Sequence, residues 1–327
     1  MQYDDNTTRR TILAAGAAGA AAAASSVALA QQPRTKGPRV WLDMDQQELD
    51  DAYDQVVYAP NRDQVGKRRI ANSDKARSVI GAPTRVAYGP TEIEKLDIYR
   101  SKQANAPINI FVHGGAWRAN KAADYAFLAE PFVQAGAHYV ILDFINVDEA
   151  QGNLFPMVEQ VRRAVAWVYN NAKTFGGDPN RLYLTSHSSG SHISGCVVTH
   201  DWRKENLPVD ILKGAALSSG MYDLKPVRLS KRSKYVKFTD EMEEKLSAQR
   251  HLDLLATPLI LAHGTYETPE FQRQTRDFHA AVKAAGKPVE LLVGEGYNHF
   301  EMLETLGNPY GLLGRAVFAQ MRLSPAA

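Results

Sequence analysis

Leu182-Tyr183-Leu184-Thr185-Ser186-His187-Ser188-Ser189-Gly190 is the stretch on which the fold turns. Its apolar start reads as a buried strand, and the pattern from Gly190 to Val198 reads as a helix, so the chain must reverse sharply between them. The small-x-Ser-x-Gly form is that of a nucleophile elbow. In such a strand-to-helix turn the backbone is strained, the flanking residues must be small, and the central hydroxyl stands exposed. Ser188 is therefore the candidate nucleophile. Ser186 stands where glycine is usual, and serine is still small.

Upstream, His113-Gly114-Gly115-Ala116-Trp117 follows the apolar run Ile108 to Val112. Adjacent glycines leave backbone N–H groups able to face a developing oxyanion, so Gly114 and Gly115, with the amide of Ser189, form the candidate oxyanion hole. Downstream, a serine nucleophile needs a base and the base an orienting carboxylate. His299, in the loop after the final apolar run Val289 to Val293, is the candidate base. His251 and His279 read as structural, His263 ends a strand run, and His187 and His192 are too near Ser188 in sequence to serve it. For the acid, Glu267 lies in the loop ahead of a helix, Glu270 falls in that helix's first turn, where a carboxylate favours the helix dipole, and Asp223 is an outside candidate. Glu267 is preferred. Trp117, His187 and Tyr222 are candidate substrate contacts, with Tyr125 and Phe144 as further apolar walls.

Around these motifs, short apolar runs at Lys95–Tyr99, Ile108–Val112, Tyr139–Phe144, Leu182–Ser186, Gly214–Ser218, Leu259–His263 and Val289–Val293 alternate with helical patterns at Tyr125–Ala135, Phe155–Phe175, Gly190–Val198 and Pro269–Ala285. Such alternation predicts βαβ units and a mainly parallel sheet with helices on both faces. Among 327 residues, 38 Lys/Arg against 36 Asp/Glu leave a net charge of +2, which excludes a strongly basic nucleic-acid binder. A single cysteine, Cys196, excludes an intramolecular disulfide framework and a cysteine zinc cluster. No acidic or histidine cluster has metal-ligand spacing, so neither metal nor organic cofactor is expected.

Residues 1–30 read as a twin-arginine signal peptide. Arg9-Arg10 supply the positive region, an Ala/Gly-rich run follows, and Ala28-Leu29-Ala30 fits cleavage after Ala30. The expected partner of the precursor is the twin-arginine export machinery, and the expected location is the periplasm or the medium. Residues 31–87 read as a polar, partly helical extension packed on a single domain, 88–327. The basic run Arg228 to Lys237 and the acidic run Asp240 to Glu244 read together as a solvated helical insertion near 225–250, able to cover one side of the site.

In order along the chain, Tyr88-Gly89-Pro90, Glu94 to Tyr99, the His113–Trp117 loop, the Ser188 elbow, Gly220-Met221-Tyr222-Asp223-Leu224, Pro269 to Gln274 and Asn298-His299-Phe300-Glu301 resemble the α/β-hydrolase superfamily. Within it they resemble the kynurenine formamidase-like serine hydrolases. The resemblance implies the α/β-hydrolase fold and acyl transfer through a covalent intermediate. That family usually carries aspartate where Glu267 stands. An exported member is expected to act as a carboxylesterase on small or aryl esters, with arylformamidase or amidase activity as the alternative. A non-catalytic hydrolase-fold binding protein is the alternative of another class.

Overall fold

The computed structural model describes residues 35–326; the signal-peptide reading of residues 1–30 lies outside the described residues. Its strands are β1 (Thr84–Ala87), β2 (Lys95–Tyr99), β3 (Ala106–Val112), β4 (His138–Leu142), β5 (Gly177–His187), β6 (Leu212–Ser218), β7 (Leu259–Gly264) and β8 (Val289–Gly294). They form one eight-stranded sheet in the order β1-β2-β4-β3-β5-β6-β7-β8. From β4 across to β8 all neighbours are parallel, whereas β1 and β2 add an antiparallel edge.

The apolar runs of the sequence are β2 to β8. The remaining strand, β1, is largely exposed and has no apolar alternation, so nothing marked it as a strand. Residues 31–87 thus give their last strand to the sheet and are not wholly peripheral. The described part of that segment also contains helices at Gln46–Ala52, Gln55–Tyr58 and Arg62–Ile80.

β3 and β4 are buried along their whole length, as expected of strands covered on both faces. Alternate residues serve opposite layers. Ile108, Ile110 and Val112 of β3 pack with Val158, Val161, Val165 and Val168 of the helix Phe155–Asn171. Phe111 of β3 and Tyr139 of β4 pack on the other side with Phe132 and Phe318. Helix Leu312–Met321, which had not been singled out, completes that layer.

Between β3 and β5 the strand order reverses, since β4 is added on one side of β3 and β5 on the other. Such a switch point leaves a crevice beyond the carboxyl ends of the strands, where open α/β sheets place ligands. Register brings those ends level: Val112 faces Ser186, His187 faces Ser218, Ser218 faces Ala262, and Gly264 faces Gly294. No described helix is long and apolar enough to cross a membrane.

Candidate active site

Ser188 is the residue between β5 and the helix Ser189–Val198, with φ 59° and ψ −128°. A non-glycine residue held at positive φ costs on the order of 1–3 kcal/mol and persists only where its surroundings enforce it. Close packing provides that enforcement. A Cβ on Gly190 would lie 2.3 Å from the Val112 carbonyl oxygen, and one on Gly114 would lie 2.7 Å from the His187 carbonyl oxygen. Both glycines are therefore required by backbone proximity. Ser186 is accommodated by a second serine: its Oγ is 3.0 Å from Ser191 Oγ, which donates to the Ser218 carbonyl at 2.8 Å.

His299 begins the helix His299–Glu304, whose N-cap Asn298 accepts from the amides of Phe300 and Glu301. The ring bridges two groups, with Nε2 2.8 Å from Ser188 Oγ and Nδ1 2.8 Å from Glu267 Oε2. With Nδ1–H donating to the carboxylate, Nε2 is left as the acceptor facing the serine. Glu267 is buried, and its other oxygen accepts from Ser219 Oγ at 2.6 Å and from the Gly264 amide at 2.7 Å. The longer glutamate arm is thus fully engaged.

The other acids are committed elsewhere. Glu270, in the first turn of the helix Pro269–Ala284, accepts two hydrogen bonds from Arg273 and one from Tyr53. Asp223 caps the helix Leu224–Leu229 and pairs with Arg250.

The loop after β3 packs against the elbow. Its carbonyls are tied back, that of Gly114 by Asn120 and that of Gly115 by the amides of Arg118 and Ala119. Among the described residues, the amides of Gly114, Gly115 and Ser189 donate to no protein acceptor. His113 holds the loop from below, its ring 4.5 Å from that of Phe144 and 5.7 Å from that of Tyr125.

Ser188, His299, Gly115 and His187 line a cavity of about 480 Å³, within the usual range for small-molecule sites. His187 donates through Nε2–H to the His299 carbonyl at 2.8 Å, and burial holds its pKa well below the ordinary histidine value. Tyr125 also lines the cavity, whereas Phe144 does not. Two expected substrate contacts require correction. Trp117 is buried, with its indole N–H on His192 Nδ1 and its amide on Ser189 Oγ. Tyr222 is stacked on Phe278 at 4.2 Å beneath the site. Neither borders the cavity.

The opposite wall comes from two segments outside the sheet core: Tyr53 to Arg69 and Lys231 to Tyr235. The insertion is a chain of short helical turns, and Arg228 pairs with Asp240 and Glu243 as the charge pattern suggested. Arg232, however, points inward and is buried. Gln55 also went unnoticed; its Nε2 lies 3.3 Å from Glu267 Oε2 and its Oε1 accepts from the Thr268 amide. Ser219 was missed too, although it follows directly on β6 beside the Gly220 segment.

Strand order, elbow and glycine loop define an α/β-hydrolase. The BD-FAE domain model matches residues 96–219. A kynurenine formamidase from Danio rerio is 32% identical over 279 residues, spanning 81% of this chain and 93% of that one. An isoprenylcysteine α-carbonyl methylesterase from Arabidopsis thaliana is 28% identical, spanning 66% of this chain and 56% of that one. Among solved structures, a propionate-bound thermophilic esterase from Thermogutta terrifontis superposes with a TM-score of 0.62 at 20% identity, covering 76% of this chain and 98% of that one. The chain belongs to the kynurenine formamidase-like family of α/β-hydrolases. It is a hydrolase acting on esters or amides, which sets aside the reading as a non-catalytic binder.

Proposed function

We propose that the protein is an exported serine hydrolase that cleaves small or aryl carboxylic esters through an acyl-enzyme on Ser188. The observation that carries this reading is the hydrogen-bonded series Ser188–His299–Glu267, whose serine end opens on the cavity. In the first step Ser188 Oγ attacks the carbonyl carbon as its proton passes to His299 Nε2. Glu267 holds the ring orientation and stabilises the imidazolium. The negative oxygen of the tetrahedral intermediate faces the amides of Gly114, Gly115 and Ser189, which are free to donate. Collapse breaks the bond to the leaving alcohol, which takes the proton from His299. A water then gives a proton to Nε2 as it attacks the acyl carbon; collapse of the second tetrahedral intermediate breaks the bond to Ser188 Oγ, which takes that proton back from His299, and the acid leaves.

Formamide cleavage is the second reading, favoured by the 32% identity to a kynurenine formamidase. Export favours the ester, because an exported enzyme meets exogenous substrates. The deciding experiment is the initial rate of the purified mature protein on an aryl acetate and on the matching N-formyl arylamine. Faster ester cleavage supports the proposal, and preference for the formamide reverses the ranking. Ser188→Ala is expected to lower either rate by at least about 10⁴-fold; a rate within tenfold of wild type removes Ser188 from the mechanism. Export is tested by sequencing the N-terminus of protein recovered from the periplasm. Processing after Ala30 that is lost in an Arg9→Lys, Arg10→Lys double variant supports it, and an unprocessed chain retained in the cytoplasm in both refutes it.

A further inference from the structure

The charges that line the catalytic cavity do not balance. Each acid there is already paired: Asp54 with Lys231, Asp63 with Arg62 at 3.2 Å, and Glu304 with Arg68 at 2.8 Å. The remaining oxygen of Asp54 accepts from the Val56 amide. Two cations on the same cavity, Arg69 and Arg232, have no carboxylate partner among the described residues.

Arg232 is only 7% exposed, and its guanidinium lies over the rings of Trp117 and Phe271 at 5.3 and 5.9 Å. It donates through Nη1 to the Tyr235 hydroxyl and through Nη2 to the Tyr53 carbonyl, while its buried Nε has no partner. Arg69 lies over the Tyr125 ring at 4.9 Å, donates to the Tyr125 hydroxyl and to Asn120, and also has a buried, unpartnered Nε. Arg69 is half-buried; Arg232 is buried and shares the field of Asp54, which is bonded to Lys231, so it has no ion pair of its own among the described residues, and a buried cation so placed is costly. The aromatic faces fix where each guanidinium sits, the Nε atoms are enclosed, and each Nη keeps a second N–H beyond the bonds above to offer a planar anion. The site is close to the chemistry, because the Phe271 ring under Arg232 meets the His299 ring edge-on at 5.1 Å.

We propose that Arg232, assisted by Arg69, binds a carboxylate on the substrate, so that the preferred substrates are anionic esters or amides. This rests on the Ser188 hydrolase reading and narrows its substrate class.

The test compares two matched pairs: phenyl hemisuccinate with phenyl pentanoate for an acyl-side carboxylate, and 4-carboxyphenyl acetate with 4-methylphenyl acetate for the leaving-group side. In one pair the wild type is expected to favour the anionic member in kcat/KM by about 10- to 100-fold, the scale of hydrogen bonds to charged groups. The side on which the preference appears locates the carboxylate. Arg232→Met is expected to remove most of that preference, Arg232→Lys to restore part of it, and Arg69→Gln to reduce it less. Equal and measurable rates within both wild-type pairs overturn the proposal, as does an Arg232→Met variant, folded by circular dichroism, that keeps the full preference. Calorimetric titration of Ser188→Ala with the same esters requires no turnover. Tighter binding of an anionic ester, lost in the Ser188→Ala, Arg232→Met double variant, supports the anion site even where the wild type cleaves none of these esters. In that event it is the hydrolase reading that fails.

Discussion

Ser188, Glu267 and His299 stand in the turns that end β5, β7 and β8, whereas the wall facing them is made by residues 53–69 and 231–235, which come from outside the sheet core. The first region is held by strand register and by backbone contacts too close for any residue but glycine. The second is held by side-chain ion pairs and hydrogen bonds, such as Lys231 with Asp54 and Arg232 with the Tyr53 carbonyl. The proposed mechanism thus puts chemistry on rigid strand ends and recognition on segments outside the sheet core, where loops commonly carry binding residues.

The largest effect that could break this division lies at the two buried glutamates. They are neighbours in sequence, yet one bonds His299 and the other Arg273. Glu267→Gln is expected to lower kcat by about 10³- to 10⁴-fold, because the amide no longer enforces the histidine tautomer. Glu270→Gln should instead destabilise the fold by roughly 1–3 kcal/mol, because Arg273 loses its buried charge partner and keeps only Asp277 among the described residues, and should keep kcat within tenfold. Denaturant unfolding and steady-state kinetics on both variants read the two quantities separately. A catalytic collapse at Glu270 with little change at Glu267 would reverse the assignment.

The contrast also accounts for what could be read from the chain beforehand. The strand ends were legible because their signals are local: an apolar run, then a small-residue turn or a glycine pair. Glu267 was separable from Glu270 because the helix start at Pro269 places only the latter in a first turn. The wall was legible only in outline: the insertion was expected to cover one side of the site, and it does, but Arg232 lies in a run of cations that looks uniformly solvated, and nothing in a charge run says which member turns inward. Trp117 and Tyr222 were misplaced for a related reason. An aromatic residue after a strand can face a cavity or the core with equal sequence plausibility, and here His192 and Phe278 draw them inward. Ser219 and Gln55 meet Glu267 only through tertiary contacts spanning 48 and 212 residues.

The junction between the two regions has its own signature, the buried ring of His192. Its Nδ1 accepts from the Trp117 indole, and its Nε2 donates to the Leu246 carbonyl of the insertion. Burial pushes its pKa down from 6.5 to about 4. The unfolded chain therefore takes up a proton near pH 6.5 that the folded chain refuses until about pH 4. Stability present above pH 6.5 is lost as pH falls across that window, by roughly 3 kcal/mol from this residue. Buried His187 adds a loss of the same sign. Melting temperatures of wild type and His192→Gln at pH 7 and pH 4.5 give the check. The variant should show the smaller drop, and equal drops would mean that the His192 ring titrates alike in the folded and unfolded states.

The smallest expected effect is the sharpest on the boundary itself. Gln55 belongs to the wall segment but touches the acid, donating to Glu267 Oε2 at 3.3 Å while its own oxygen accepts from the Thr268 amide. Glu267 keeps its bonds from Ser219, Gly264 and His299 when Gln55 is truncated. The loss is therefore that of one long hydrogen bond to a charged group, and Gln55→Ala should lower kcat by about 3- to 10-fold with KM nearly unchanged. Val56, the next residue, lines the cavity and is 43% exposed. An apolar wall residue binds ground and transition states alike, so Val56→Ala is expected to raise KM a few-fold and leave kcat alone. Opposite responses at adjacent positions would place the border between acid support and substrate wall within residues 55 and 56. If Gln55→Ala changed KM instead, the extension would be a binding wall throughout, and orientation of Glu267 would rest on Ser219 and the Gly264 amide.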